Sequence, residues 1–221
     1  MAVATVPFPG APTEERALVL VDIEGDFCDD FPGAGLPVVG GGTVARATNA
    51  YLKAHAADYA LVVATADWHV DPGEHFASST GAAIDPAAGH WPDHCRAGTP
   101  GAAWHPDLFD GIDPATLGRD GLVVVHKGEF AAAYSGFEGH VVGESTTLAA
   151  LLRARGVTAV DYVGIATGHC VAATARDSLG EGFRTRVLAS LTAAVDPAHG
   201  AAELAALAAA GAEVVGEPAA A

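Results

Sequence analysis

The sequence predicts an α/β protein of three layers, in which a mainly parallel sheet of about six strands lies between two layers of helices. Short runs rich in Val, Leu and Ile recur along the 221-residue chain, and helical patterns separate them. These runs are almost continuously hydrophobic, which is typical of parallel strands that are buried on both faces. Hydrophobic residues make up 50% of the chain, enough for a large core.

The predicted elements alternate along the chain. Strands are predicted over 17–23, 59–65, 121–127, 159–165, 184–190 and 212–216, and helices over 43–57, 145–156, 170–182 and 198–211. The first helix is expected to begin at Thr43, whose hydroxyl suits a helix N-cap after three glycines. The second is expected to begin at Ser145 and to end at Gly156.

One long segment interrupts this alternation. Residues 66–120 are rich in Pro, Gly, His and Asp and contain no convincing long element. A connection of this length is uncommon inside a compact domain and is usually functional. We therefore predict a single domain over 1–221, with its core at about 16–215 and a metal-binding insertion at about 66–120.

Composition narrows the class of partner and the compartment. The formal net charge of -16 would repel phosphate backbones and anionic lipid, so neither nucleic acid nor a membrane surface is expected as a partner. The N-terminal segment lacks the features of a signal peptide, and no stretch approaches the roughly 18 apolar residues that span a bilayer. Three cysteines at unrelated spacings form no disulfide framework, which favours a cytoplasmic location.

Reactive side chains follow four of the predicted strands. Asp22 lies near the end of the first strand, Asp67 and His69 follow the second, Lys127 ends the third, and Cys170 comes shortly after the fourth. Ligands of open parallel sheets bind beyond the carboxyl ends of the strands, so these groups are expected to share one rim.

A cluster of histidines and a carboxylate lies within the long segment. Asp67 and His69 are two residues apart, so an extended backbone points both side chains the same way. His75, His90 and His94 follow nearby. Such residues suit a first-row divalent metal, although the donor set does not choose between zinc, iron and manganese. The alternative is a solvated loop that happens to carry histidines.

Cys170 has two interpretations, as a small core residue or as a nucleophile. It comes just after a strand and at a predicted helix start, where the helix dipole and unpaired N–H groups lower the pKa of a thiol. Those N–H groups would also stabilise an oxyanion. Cys28 and Cys95 lack such a setting and are interpreted as structural. On residue type alone, Asp22 also fits the role of a helix cap or a paired charge instead of a catalytic group. Lys127 also fits the role of a side chain that extends to solvent.

Five motifs together resemble the nicotinamidase/pyrazinamidase branch of the isochorismatase-like cysteine hydrolases. They are VDIEGDF, TADWHVDPGEHF, HWPDHCRAGTPGAAWHP, HKGEFAAAYSGFEG and GIATGHCV, in the order found in that family. The resemblance runs from about residue 16 to about residue 215, so it covers nearly the whole chain and implies the isochorismatase-like hydrolase fold.

The resemblance also implies a role for particular residues. The catalytic triad would be Asp22, Lys127 and Cys170, and the metal ligands would be Asp67, His69, His75 and His94. The peptide bond between Ile165 and Ala166 would be cis, and the backbone N–H groups of Ala166 and Cys170 would form an oxyanion hole. The substrate pocket would include Phe27, Trp91, Tyr134, Ile165 and His169. One divalent ion is implied, with zinc first among zinc, iron and manganese.

The reaction implied by the resemblance is hydrolysis of nicotinamide, and of pyrazinamide, through a thioester on Cys170. Rival functions are a sister amidase that acts on an N-carbamoyl or maleamate-type substrate, and a metal- or ligand-binding relative without catalysis. The sequence does not decide whether the chain forms a homo-oligomer. The sequence departs from the family at Gly168, where Asp is common, and at Glu24, where Gln is common. Glu24 would add a negative charge near Asp22, which would raise the pKa of either carboxyl group.

Overall fold

The computed structural model describes residues 15–219, which form a seven-stranded sheet covered by helices on both faces. The strands are β1 Arg16–Val21, β2 Leu61–Asp67, β3 Leu122–Lys127, β4 His140–Val141, β5 Ala159–Ile165, β6 Arg184–Ala193 and β7 Glu213–Val215. The helices are α1 Gly41–His55, α2 Ala77–Thr80, α3 Leu148–Ala154, α4 Ala172–Gly180 and α5 Pro197–Ala209. The absence of signal-peptide features was predicted for the N-terminal segment, and residues 1–14 of that segment lie outside the described residues.

The strands run in the order β4-β3-β2-β1-β5-β6-β7, and every pair except β3 with β4 is parallel. The predicted three-layer fold with a mainly parallel sheet is therefore confirmed. The sheet has seven strands rather than about six, because β4 joins the edge antiparallel to β3. This strand has only two residues, too few to produce a recognisable hydrophobic pattern in the sequence.

Both faces of the sheet are buried, as the unbroken hydrophobic runs indicate. In β1, Leu18 and Leu20 face one core, while Ala17, Val19 and Val21 face the other. Helix α1 packs in the first core, and α3, α4 and α5 pack in the second. Burial of each large aliphatic side chain contributes about 1.5–3 kcal/mol, so the strands that support the site are firmly held.

Helix α1 begins at Gly41, and the prediction that it begins at Thr43 is wrong. The reason is a distant cap. The Asp29 carboxylate accepts hydrogen bonds from the backbone N–H groups of Gly40 and Gly42, at 3.0 and 3.2 Å. These bonds satisfy donors at the start of the helix, so no hydroxyl cap at Thr43 is needed.

The start of α3 is also corrected. Its N-cap is Thr147 rather than Ser145, and the Thr147 hydroxyl accepts a hydrogen bond from the N–H of Ala150 at 3.3 Å. Gly156 follows the helix with a φ of 67°, as expected of a glycine beyond a helix C-terminus. Before α4, residues Thr167–Val171 form a π-helical turn, and this turn carries Cys170.

The segment between β2 and β3 contains the four-residue helix α2 and several 3₁₀ turns, so the predicted lack of a long element is confirmed. Within residues 15–219, no helix combines the length and apolar character that crossing a bilayer requires. That the chain forms a single domain stays a prediction.

Candidate active site

The four predicted strand ends meet on one rim. Strands β3, β2, β1 and β5 are neighbours in the sheet, and they bring together Lys127, Asp67, Asp22 and the turn that carries Cys170. The sulfur of Cys170 and one carboxylate oxygen each of Asp22 and Asp67 lie within 4.8 Å of one another. The expected convergence of these groups is therefore observed.

Lys127 lies at the centre of this group and is almost completely buried. Its ammonium nitrogen is 2.9 Å from Asp22 Oδ2 and 3.6 Å from the sulfur of Cys170, and it donates a hydrogen bond to Asp67 Oδ1. It also donates to the carbonyl of Ala133 at 3.2 Å. Burial disfavours the charged amine, but Asp22 and Asp67 raise the pKa of Lys127 well above its ordinary value, so the side chain is a cation.

Asp22 is held in a backbone conformation that is rare for residues other than glycine, with a φ of 49°. Its N–H donates to the Thr65 carbonyl at 3.1 Å, and the Thr65 hydroxyl donates to Asp22 Oδ1 at 2.6 Å. Complete burial raises the pKa of Asp22 despite the opposing charge of Lys127. A carboxylate with a raised pKa is suited to accept and return a proton.

The Cys170 thiol is 6% exposed, and burial raises its pKa well above the ordinary value, although the positive charge of Lys127 acts in the opposite direction. The expectation that the helix start lowers this pKa is therefore wrong. Desolvation of a thiolate outweighs the positive charge of the lysine. The thiol holds its proton in the resting protein, so its activation requires a proton acceptor such as Asp22.

The turn that carries Cys170 begins at a cis peptide bond between Ile165 and Ala166, as the resemblance implies. The carbonyl of Ala166 accepts hydrogen bonds from the N–H groups of His169 and Val171, at 3.0 and 3.2 Å. These two donors flank Cys170 in the sequence. They fix the turn around the nucleophile candidate on both sides.

Beside this group, three imidazoles form a second cluster. Side-chain nitrogens of His69, His75 and His94 lie within 4.8 Å of one another, and all three residues are buried. Asp67 Oδ2 lies 3.6 Å from His69 Nε2 and 3.7 Å from His94 Nε2. Asp67 thus joins the two clusters, because its other oxygen accepts from Lys127.

Hydrogen bonds leave the imidazoles free to bind a cation. His69 Nδ1 and His94 Nδ1 each lie 2.7 Å from a backbone carbonyl oxygen, to which each must donate a proton. Their Nε2 lone pairs then face the cluster. Among residues 15–219, neither His69 Nε2 nor His75 Nδ1 has a hydrogen-bond partner, and both atoms are buried. Burial lowers the pKa of His75 to about 4, so it is neutral at pH 7. These residues fit a divalent metal ion.

His90 does not join this cluster. Its backbone pairs with Asp85 in a turn, where the Asp85 N–H donates to the His90 carbonyl at 2.9 Å. Of the histidines predicted in the long segment, the structure therefore gathers His69, His75 and His94.

A pocket opens onto Cys170, Asp67 and two histidines of the cluster, His75 and His94. Four of the residues predicted for substrate binding, namely Phe27, Trp91, Tyr134 and His169, line it. The Trp91 indole N–H donates to the Tyr134 hydroxyl at 2.8 Å, which fixes both aromatic rings. Ile165 is fully buried in the core rather than in the pocket wall.

Several lining residues carry no recognisable signal in the sequence. Leu36, Val38, Ala133 and Val195 also line the pocket. They are small or aliphatic residues with no distinguishing spacing, and nothing but the folded structure separates them from ordinary core residues.

Glu24 is a buried neighbour of the site, with no exposed surface. Its Oε2 accepts a hydrogen bond from the backbone N–H of Asp67 at 2.9 Å. Burial, with further contributions from Asp22 and Asp67, raises the pKa of Glu24 well above its ordinary value. The expected effect of this additional carboxylate is therefore observed on Glu24 itself.

The fold and the arrangement of these residues are those of the isochorismatase domain family. The chain belongs to this family, because the family's sequence model matches residues 16–217. The chain is 48% identical to the nicotinamidase/pyrazinamidase of Mycobacterium tuberculosis over 180 residues, which cover 81% of this chain and 87% of that protein. The predicted family resemblance is therefore confirmed.

Two solved structures have the same fold. The pyrazinamidase of Pyrococcus horikoshii, in complex with zinc, matches with a TM-score of 0.72 and 33% identity, over 91% of this chain and 98% of that one. PnC1 from L. infantum, in complex with nicotinate, matches with a TM-score of 0.73 and 32% identity, over 91% of this chain and 92% of that one.

Proposed function

We propose that the protein is a metal-dependent cysteine amidohydrolase that converts nicotinamide to nicotinic acid and ammonia, and pyrazinamide to pyrazinoic acid. The observation that carries this proposal is the meeting of Cys170, Asp22 and Lys127 beside a three-histidine cluster, next to a pocket that Cys170, His75 and His94 line. The relative with 48% identity, which is a nicotinamidase/pyrazinamidase, supports the choice of substrate.

The metal would be held by Asp67, His69, His75 and His94. Three imidazoles and one carboxylate suit zinc, iron and manganese, and zinc is proposed because a similar pyrazinamidase is in complex with it. When bound, the ion supplies a positive centre that attracts the ring nitrogen of the substrate. Asp67 would help to hold the ion through Oδ2, because its Oδ1 accepts a hydrogen bond from Lys127.

The pyridine ring would lie among Phe27, Trp91, Tyr134 and His169, which present aromatic surface to the pocket. The hydrogen bond between Trp91 and Tyr134 keeps two of these walls rigid. The pocket would thereby orient the carboxamide carbon toward the sulfur of Cys170, and such positioning contributes to rate.

The reaction would begin when Asp22 takes the proton of the Cys170 thiol, whose raised pKa requires an acceptor. The sulfur then bonds to the carboxamide carbon. The backbone N–H groups of Ala166 and Cys170 would stabilise the resulting oxyanion, and Lys127 would balance the negative charge of Asp22. Asp22 returns the proton to the nitrogen, the C–N bond breaks, and ammonia leaves behind a thioester.

The second half of the reaction restores the thiol. Asp22 takes a proton from water, whose oxygen bonds to the acyl carbon while the carbon–sulfur bond breaks. Nicotinic acid leaves, and the sulfur regains its proton from Asp22. Each atom added to the enzyme in the first half is thus removed in the second.

Ammonia release from nicotinamide tests the proposed function. We expect turnover by the purified protein when it is supplied with zinc, iron or manganese, and loss of turnover after a chelator removes the ion. A panel with an N-carbamoyl amide and maleamate separates the sister amidases. Absence of ammonia from nicotinamide under metal-replete conditions would overturn the proposal.

A further inference from the structure

The turn that carries Cys170 is in contact with the first turn of α5. The imidazole Nε2 of His199 lies 3.0 Å from the carbonyl oxygen of Gly168, to which it donates a hydrogen bond. Asp196 fixes the position of His199, because its carboxylate accepts hydrogen bonds from the N–H groups of Ala198 and His199, at 2.7 and 3.1 Å. The donor that reaches the turn is thus anchored by the helix cap.

Gly168 and His199 also fit each other in shape. A Cβ atom at Gly168 would lie 2.7 Å from Cδ2 of His199 and 3.2 Å from the backbone nitrogen of Gly200. Real Cβ atoms essentially never approach another heavy atom as closely as the first of these distances. The imidazole therefore takes the place that a side chain at position 168 would occupy.

The hydrogen bond from His199 completes the fixation of one peptide group. The peptide between Gly168 and His169 has its N–H bonded to the carbonyl of Ala166 at 3.0 Å and its carbonyl bonded to His199 at 3.0 Å. Both ends of this peptide are therefore fixed. The next peptide group contains the N–H of Cys170, so its direction depends on the first.

His199 also supports a wall of the pocket from behind. Its ring contacts the ring of His169, with centroids 5.1 Å apart at an angle of 63°. The His169 ring in turn contacts Trp91, at 5.2 Å between centroids. His199 thereby contacts the turn that carries Cys170 at Gly168, and it contacts the pocket wall at His169.

We propose that His199 is a positioning residue for Cys170, acting through Gly168 and His169 without touching the substrate. The proposal rests on the proposed function for its kinetic readout. A nucleophile displaced by about 1 Å loses up to about 100-fold in rate, so release of one end of the 168–169 peptide should lower kcat while substrate binding persists.

The main test uses two substitutions of the same residue. His199→Ala should lower kcat for nicotinamide about tenfold and change KM less than about twofold. His199→Gln keeps an N–H donor on a side chain of similar reach, and it should recover most of the lost kcat. His55→Ala is the matched control, since His55 lies at the end of α1 and pairs with Asp58 at 3.2 Å.

A double-substitution cycle tests the shape match. Gly168→Ala should lower kcat because its Cβ meets the imidazole, and it should cost less in the His199→Ala background, where that ring is gone. Thermal unfolding of each variant establishes that it is folded. Additive effects of the two changes would contradict the proposed fit.

A second readout separates this inference from the proposed function. The rate and pH profile of Cys170 alkylation by iodoacetamide, followed by peptide mapping, require no nicotinamide turnover. His199→Ala should change this profile, and His199→Gln and His55→Ala should not. If the wild-type protein releases no ammonia but His199→Ala alters the alkylation profile, the proposed function is overturned and the positioning role stands. An unchanged kcat and alkylation profile in His199→Ala, or a loss that His199→Gln does not reduce, would overturn the positioning role.

Discussion

Two buried groups of charged residues lie in the same sheet and differ in how completely they are bonded. Toward the amino ends of the strands, the Asp161 carboxylate accepts from Arg16, from Arg186 Nε at 3.0 Å and from the Tyr59 hydroxyl at 2.7 Å. At the carboxyl ends, the site around Lys127 leaves several buried polar atoms without partners among residues 15–219. These atoms are Glu24 Oε1, His69 Nε2 and His75 Nδ1.

The difference indicates which group is structural and which is able to bind. A buried charge costs free energy unless it is paired and hydrogen-bonded, and Asp161 meets that condition with protein groups alone. At the other end, His69 Nε2 and His75 Nδ1 are buried and have no hydrogen-bond partner among residues 15–219. We therefore expect a ligand or ion to supply the missing partner there.

The largest expected effects come from exchanging one carboxylate in each group for its amide. Asp22→Asn removes the proposed proton acceptor, and it should lower kcat about 10²- to 10⁴-fold in a protein that still folds. Asp161→Asn removes the carboxylate charge that pairs with Arg16 and Arg186, and it should lower the free energy of unfolding by about 3–5 kcal/mol. Denaturant unfolding and ammonia release, measured on both variants, test this contrast.

The two variants serve as controls for each other. The folded fraction of Asp161→Asn should keep a kcat close to wild type. The comparison fails if Asp22→Asn retains kcat, or if Asp161→Asn loses activity without loss of stability.

Metal binding offers an intermediate effect. His94→Ala removes one of the imidazoles that face Asp67 Oδ2, and it should weaken zinc affinity by at least about 100-fold. His90→Ala is the control, because His90 belongs to the same segment but not to the cluster. Competition with a chromophoric chelator measures both affinities. Equal zinc affinity in His94→Ala and wild type would contradict the assignment of the cluster.

The smallest expected effect concerns Glu24. The folded-state pKa of Glu24 is raised, so the native protein binds more protons than the unfolded chain as the pH rises above 4.5. Its ionisation therefore lowers stability with increasing pH in that range, and not below it. Glu24→Gln should be more stable than wild type near pH 8 and equal near pH 4.

Thermal unfolding of the metal-free proteins across this pH range measures the difference for Glu24. A stability gain that is constant with pH, or one that is larger at pH 4, would contradict the raised pKa.

The parts of the site that follow strand ends could be predicted from the sequence. Asp22, Asp67 and Lys127 each interrupt a hydrophobic run, and parallel topology then requires their strand ends to share a rim. The starts of α1 and α3 could not be predicted correctly, and were expected at Thr43 and Ser145. The first depends on Asp29, a carboxylate that is distant in sequence and reaches the helix only after folding.

Supporting residues left no usable signal. Val195 looks like an ordinary strand or core residue, and His199 like one more helical histidine. The pKa of Cys170 was also wrongly expected, because the sequence places it at a helix start but does not reveal its depth of burial. Position along the chain predicted which groups meet, whereas their solvation depended on the packed structure.

The central claim is that Cys170 is the nucleophile of the site around Lys127. One paired measurement tests this claim most directly. Ammonia release from nicotinamide is compared between Cys170→Ala and Cys28→Ala, with zinc content measured on both. The account predicts that Cys170→Ala lowers kcat at least about 10³-fold and still binds one zinc ion per chain, while Cys28→Ala keeps its activity. Wild-type turnover by Cys170→Ala would contradict it.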